Sequence, residues 1–266
     1  MKRRKHVHVA MFSGGASSAY VAYQMVQTYG KENSILFFTN TLWEDEDNYR
    51  FMEEVADYIG IEITERIDGR TPEEVFFETK FLGNSRLARC SEELKVKQTI
   101  LFLEELRDEH NLEPLYFGIG PHEQHRADNL TYLYEHFPIE PVETRFPMID
   151  TFRDDIDVKH IIENEWGIKL PRMYKLGFSH ANCGGRCVRG GFQHYAQLYK
   201  VWPEQYKLQE EMEENFRNQF QKNVSILKKN GKPYTLKEYR ETMEKEGIEK
   251  FLKIKDDTVP CVCTFS

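Results

Sequence analysis

A short apolar strand that ends in Ser-Gly-Gly-x-x-Ser and opens at once into a helix constrains this chain more than any other stretch. It spans Val7–Ala19, with HVAMFSGGASSA at its core. Val7, Val9, Met11 and Phe12 have strand character, while Ala19, Ala22, Tyr23 and Val26 recur at helical spacing. Glycines at such a junction let the backbone turn tightly and approach a ligand closely. The first N–H groups of the helix lack intrahelical partners and carry positive partial charge, which suits a phosphate. Ser13, Ser17 and Ser18 add hydroxyls to that surface, with Gly14 and Gly15 beneath it. Neither the Walker pattern nor the G-x-G-x-x-G dinucleotide fingerprint occurs anywhere in the chain.

The segments that follow alternate. Ser34–Thr41 is apolar and β-branched, Tyr49–Ile59 has helical periodicity, Gly60 stops it, and Ile61–Ile67 reads as a third strand. Thr71-Pro-Glu-Glu is a helix start, with Thr71 as N-cap and Glu74 closing a capping box. Leu115–Ile119 is a further strand, and Arg145–Asp150 reads as a strand before an amphipathic helix whose core positions are Ile156, Val158, Ile161 and Ile162. This β-α-β-α-β order predicts a doubly wound, mostly parallel α/β sheet with its ligand at the carboxyl ends of the strands. The doubly wound part is expected over 1–170. A helical, cysteine-bearing extension is expected over 171–266, with helices at Phe192–Val201, Glu204–Gln221 and Thr235–Lys245.

A chain of 266 residues is long enough to bury a core. With 36 basic and 44 acidic residues the formal charge is −8, so indiscriminate binding of polyanions is not expected. No apolar stretch is long enough to span a bilayer and no signal-type segment follows the basic N-terminus, so a cytoplasmic protein without membrane contact is expected. In a reducing compartment the five cysteines point to metal or catalytic duty rather than disulfides. They are Cys90, Cys183 and Cys187 as C-x-x-x-C in the glycine-rich run LGFSHANCGGRCVRGG, and Cys261 and Cys263 as C-x-C. Four thiolates can hold a [4Fe–4S] cluster or a tetrahedral zinc ion, and five leave one spare. A metal-free set with catalytic thiols is the third alternative. Glu123 and Arg126 follow the Leu115–Ile119 strand, where an anion clamp belongs, because arginine presents a rigid fork to phosphate or sulfate oxygens. His180 and His194 are imidazoles available as metal ligands or as packing groups. Glu44 either orients a ligand or caps the next helix.

The loop Ser13–Ser18 resembles the SGGxxS PP-loop of the ATP pyrophosphatase superfamily. Three further segments resemble the PAPS reductase-like family within it. Cys90 with the basic run ending in Lys95 and Lys97 is similar to the family's cysteine-and-basic segment, with Gln98 in the place of its proline. Gly118-Ile-x-x-x-Glu123-x-x-Arg126 is similar to the element after the fourth strand. The run Gly177-Phe-x-His-x-Asn-Cys-Gly-Gly-x-Cys187 nearly repeats a family phrase. The resemblance implies an adenine nucleotide α-hydrolase-like fold that binds ATP or a sulfonucleotide. Ser13, Gly14, Gly15, Ser17, Ser18, Gly118, Glu123 and Arg126 would form the nucleotide site, and Thr39, Asn40 and Thr41 would contact the nucleoside. Cys90, Cys183, Cys187, Cys261 and Cys263 would be the metal ligands. Three activities remain open. One is ATP cleavage between the α- and β-phosphates with magnesium, followed by adenylation and sulfur transfer. The second is sulfonucleotide reduction, with Lys95, Lys97 and Arg126 stabilising sulfate oxygens and Cys263 as the redox thiol. The third is a non-catalytic nucleotide-binding module in a larger assembly. A sulfur-donor protein is an implied partner of the first, and the acceptor is a nucleic acid or a small molecule.

Overall fold

The computed structural model describes residues 4–84, 87–136, 140–152 and 156–253. Arg86, Cys261 and Cys263 therefore lie outside the described residues. Five parallel strands form the central sheet: β1 His6–Met11, β2 Ser34–Asn40, β3 Ile63–Ile67, β4 Asn111–Phe117 and β5 Thr144–Arg145, in the order β3-β2-β1-β4-β5. β1 pairs with β2 through Val9–Ile35 and with β4 through Val9–Leu115. The order reverses between β1 and β4, so the carboxyl ends of those two strands flank the topological switch point, where α/β sheets take their ligands.

Helices cover both faces. Helices α1 (Ala16–Tyr29) and α2 (Glu46–Ile59) bury Ala19, Val21, Phe51 and Val55 against Ala10, Leu36 and Phe38. On the other face lie α4 (Lys97–Glu109) and α5 (Gln124–His136), which enclose Val9, Phe37, Leu103 and Leu130. Between α2 and α4, helix α3 (Pro72–Thr79) begins with the predicted Thr71–Glu74 capping box. Gly60 ends α2 in the left-handed conformation, as its place in the sequence suggests.

The amphipathic segment after β5 packs as expected, with Val158 and Ile162 buried on the α1 side. The predicted strand Arg145–Asp150 is mostly a helical turn, Pro147–Asp150. Pro147 cannot donate to a ladder but suits the first helical position, so the chain leaves the sheet there.

The remaining chain forms a third apolar cluster. Helices α6 (Phe192–Val201), α7 (Pro203–Phe220) and α8 (Leu236–Glu246) surround Tyr195, Tyr206, Phe216 and Tyr239. A hairpin, β6 Leu227–Lys229 with β7 Lys232–Tyr234, joins α7 to α8. Phe76 of α3 and Trp43 belong to the same cluster, so this part is packed onto the sheet domain rather than tethered to it. No helix among the described residues is long and apolar enough to cross a membrane.

Candidate active site

The loop after β1 has the shape its glycines predict. Gly14 takes φ +75°, and Gly15 is the N-cap of α1, with no acidic residue in the first turn. A Cβ on Gly14 would fall 2.6 Å from Asn48 Nδ2. Ser18 fixes the loop from inside: its Oγ donates to Gly15 O at 2.9 Å and accepts from Ser13 N–H at 3.3 Å. Gly118, at the end of β4, packs against this turn. A Cβ there would lie 2.3 Å from Ser18 N and 2.5 Å from Ser17 C, so only glycine lets the strand approach the helix start.

A cleft opens at the switch point. Ser13, Gly15, Ser17 and Ser18 line one side, Gly118 and Ile119 another, and Lys95, Glu123 and Arg126 a third. Tyr174 and the run Ser179–Asn182 complete its lining. Lys95 comes from an unexpected backbone: the helical turn Arg89–Ser91 passes through a π turn, Glu92–Val96, before α4 begins. Such single π turns recur at functional sites. This one buries Lys95 to 6 % exposure at the cleft wall. Arg126 is held by an ion pair with Glu123, three residues back. His180 sits among cations: burial, His194, Lys95 and Arg126 push its pKa down to about 3, so it is neutral at ordinary pH. Its Nδ1 is shielded from solvent without a hydrogen-bond partner among the described residues. Helix dipole, ammonium, guanidinium and neutral imidazole thus converge on one polar space, which suits a phosphate or sulfate group.

Lys97 is placed differently. It reaches the surface and pairs with Glu93 at 2.6 Å. Thr39, Asn40 and Thr41 do not line this cleft either. The Asn40 amide donates to Glu65 at 2.8 Å and accepts from Tyr49 Oη and Leu42 N–H, so it holds the end of β2 in shape. Thr39 is buried, and Thr41 turns to the neighbouring cavity. Glu44 accepts from the backbone N–H of Cys183 at 2.9 Å, while Asp45 is the N-cap position of α2.

Behind the cleft lies a small cavity lined by Cys90, Cys183, Cys187, Thr41, Lys95 and Arg189 together with apolar side chains. Three cysteines separated by up to a hundred positions in the chain therefore share one wall. Cys183, Gly184 and Gly185 adopt φ of +59°, +53° and +81°, a left-handed run that wraps the segment under Trp43. Arg186 lies 4.0 Å above the Trp43 ring. Arg189 is 8 % exposed, and its Nε has no partner among the described residues. By donor type the thiols suit a soft metal, and the two cations offset thiolate charge. The space left open to a water-sized molecule is small, about 10 Å³, room for one water or small ion. Among the described residues no group of three His, Cys, Asp or Glu is disposed to hold a metal ion.

Fold and cleft together define a doubly wound α/β protein with a cleft lined by two cations at the β1/β4 switch point. No protein-family model matches the chain, and no curated protein matches it. Among solved structures it is similar to the crystal structure of phosphoadenylyl-sulfate (PAPS) reductase from Candida auris in its phosphate complex. That similarity has 15% identity and a TM-score of 0.45, over 68% of this chain and 82% of that chain.

Residue-by-residue reading of the sequence missed two contributors. Tyr174 belongs to no motif, and nothing in its spacing marks it. Arg189 stands two places after Cys187, and that proximity was the signal in the sequence; its burial beside the thiols comes from the fold.

Proposed function

We propose that the protein is an enzyme that binds an adenine nucleotide by its anionic end in the switch-point cleft and carries out sulfur chemistry there. The observation that carries this reading is the meeting of Lys95, Arg126 and the N-terminus of α1, which has no acidic residue in its first turn, around one cleft. The nucleotide is ATP in the first reading. An acceptor oxygen attacks the α-phosphorus and forms a new P–O bond, and the α–β bridge breaks. Pyrophosphate leaves with the electron pair and is held by the N–H groups of the Ser13–Ser18 loop. Lys95 and Arg126 stabilise charge on the non-bridging oxygens. A sulfur nucleophile then displaces AMP from the activated acceptor, which would be a nucleic acid or a small molecule, with sulfur brought by a donor protein.

Magnesium would have to be held mainly by the phosphates. Glu123, the one carboxylate among the described residues lining the cleft, is paired with Arg126, and no step above is assigned to the metal. Cys90, Cys183 and Cys187 line one cavity but are not disposed as a metal site as they stand, so a zinc ion would require them to regroup with Cys261 or Cys263 as a further ligand. A [4Fe–4S] cluster would draw on the same thiols together with Cys261 and Cys263, and no step is derived through one.

A specific observation also favours a second reading, reduction of a sulfonucleotide. Lys95 lines both the cleft and the cysteine cavity, so a sulfate on the nucleotide would lie one side chain from the thiols. A thiolate would attack the sulfate sulfur, forming an S–S bond and expelling the adenosine phosphate. A second thiol would then release sulfite and leave a disulfide. Cys263 is the proposed first nucleophile.

Incubation with ATP, and separately with adenosine phosphosulfate or its 3′-phosphate, tests both readings. AMP with pyrophosphate supports the first; sulfite supports the second. Saturable binding with neither product assigns the chain to non-catalytic nucleotide binding. Iron, zinc and acid-labile sulfide analysis on protein purified without oxygen tests the metal proposal.

A further inference from the structure

Tyr174 lies outside every motif in the chain, yet its hydroxyl reaches the phosphate-binding loop. The Ala16 N–H donates to Tyr174 Oη at 3.3 Å. Ala16 is the first residue of α1, so this N–H is one of the donors the loop would offer an anion. The same Oη lies 3.5 Å from where a Cβ on Gly15 would stand. Among the described residues the hydroxyl hydrogen has no acceptor, and the side chain lines the cleft.

Two features hold Tyr174 there. Its turn, Arg172–Lys175, is anchored through Arg172, whose guanidinium makes a forked pair with buried Asp45 at 2.7 and 2.5 Å. The Arg172 backbone N–H donates to Asp47 at 2.6 Å. The ammonium of Lys159 lies 4.3 Å from the ring centroid and draws electron density from it, which makes the O–H a better donor. Burial raises the phenol above its ordinary pKa, with the Ala16 N–H opposing, so the hydroxyl keeps its proton at neutral pH.

We infer that Tyr174 is a phosphate-positioning residue that extends the glycine loop. Its oxygen accepts from Ala16 N–H, and its hydrogen is donated to a non-bridging oxygen of the bound nucleotide's phosphate. This rests on the proposed nucleotide reading of the cleft. The hydroxyl adds a directed donor to the cleft that Lys95 and Arg126 also line.

Calorimetric titration of wild type, Tyr174→Phe and Lys159→Met with sodium pyrophosphate and with ATP tests the inference. Thermal melts of each variant serve as folding controls. Tyr174→Phe is expected to bind pyrophosphate about tenfold more weakly, as for loss of one hydrogen bond to a charged group. Lys159 is exposed, so Lys159→Met leaves the core intact. It is expected to weaken binding roughly twofold in wild type and not at all in the Tyr174→Phe background. Unchanged or tighter binding by Tyr174→Phe overturns the inference. If Tyr174→Phe fails to fold, unchanged binding by Lys159→Met overturns it instead. Failure of the wild type itself to bind either ligand would overturn the nucleotide reading, an outcome distinct from equal binding by wild type and variant.

Discussion

The cleft at the switch point and the cysteine cavity behind it share Lys95 but are built in opposite ways. The cleft is made mainly of backbone: a glycine turn, a helix N-terminus and a strand end that packs on it through Gly118. The cavity is made of side chains gathered from α3, the π turn and the left-handed run at Cys183. A backbone site is specified by a few glycines close in sequence. A gathered site depends on the whole tertiary packing. The first should therefore fail through single close approaches, and the second through charge and burial.

The largest expected effect follows from Gly118→Ala. Its methyl group meets the backbone of Ser17 and Ser18, which cannot step aside as a flexible side chain can. A loss of about 3 kcal/mol in denaturant melts is expected, at the upper end for overpacking, with pyrophosphate binding abolished. The alkylation pattern of Cys90, Cys183 and Cys187 should survive in the folded fraction; a changed pattern would break the separation of the two sites.

Lys95→Met and Arg189→Met sharpen the comparison. Lys95 lines both spaces, whereas Arg189 lines the cysteine cavity alone. Lys95→Met should weaken pyrophosphate binding roughly thirtyfold and slow thiol alkylation, because a cation that favours thiolate is gone. Arg189→Met should slow alkylation and leave pyrophosphate affinity unchanged. Equal effects of the two variants on pyrophosphate would contradict the division.

The cleft and the C-terminal helical part also carry opposite pH signs. Beside the cleft, burial and neighbouring cations hold the His180 pKa at about 3, below the unfolded value. The unfolded chain therefore takes up a proton that the folded one does not, and stability falls as pH drops below about 6.5, by at most about 1.4 kcal/mol per pH unit. In the helical part, burial raises Glu213 to about 7 against two backbone N–H donors, Ile226 and Leu236. Its contribution is complete below the unfolded carboxylate value and is lost as pH rises through 7. Melts across pH should show His180→Gln flattening the acid side and Glu213→Gln the neutral-to-basic side. The reverse assignment would break the account.

The smallest effect belongs to the strap between the regions. Glu44→Gln replaces a charged acceptor of the Cys183 N–H by a neutral one. A loss of about 1 kcal/mol is expected, with pyrophosphate affinity unchanged.

This contrast also explains what could be read from sequence. Ser13, Gly15, Ser17, Ser18, Gly118, Glu123 and Arg126 were legible because each lies in a short motif at a strand's end, and local geometry brings them to one cleft, whereas Gly14 turns against Asn48. The sheet followed from apolar alternation, and the two Thr–Glu capping boxes at Thr71 and Thr235 from local spacing. Asn40 was read as a nucleoside contact, but its amide is engaged by Glu65, Tyr49 and Leu42, partners that only the fold brings near. The direction of Lys95 depends on a π turn, which no periodicity announces. Tyr174 reaches the loop across more than a hundred and fifty positions through a turn anchored on Asp45 and Asp47.

The central claim is that the β1/β4 switch point binds the phosphates of a nucleotide. Titration of isotopically labelled protein with sodium pyrophosphate, followed through backbone amide shifts, tests it most directly. Saturable shifts centred on Ser13–Ser18 and Gly118 are predicted. No saturable shift there, or shifts confined to the Cys183–Arg189 segment, would contradict it.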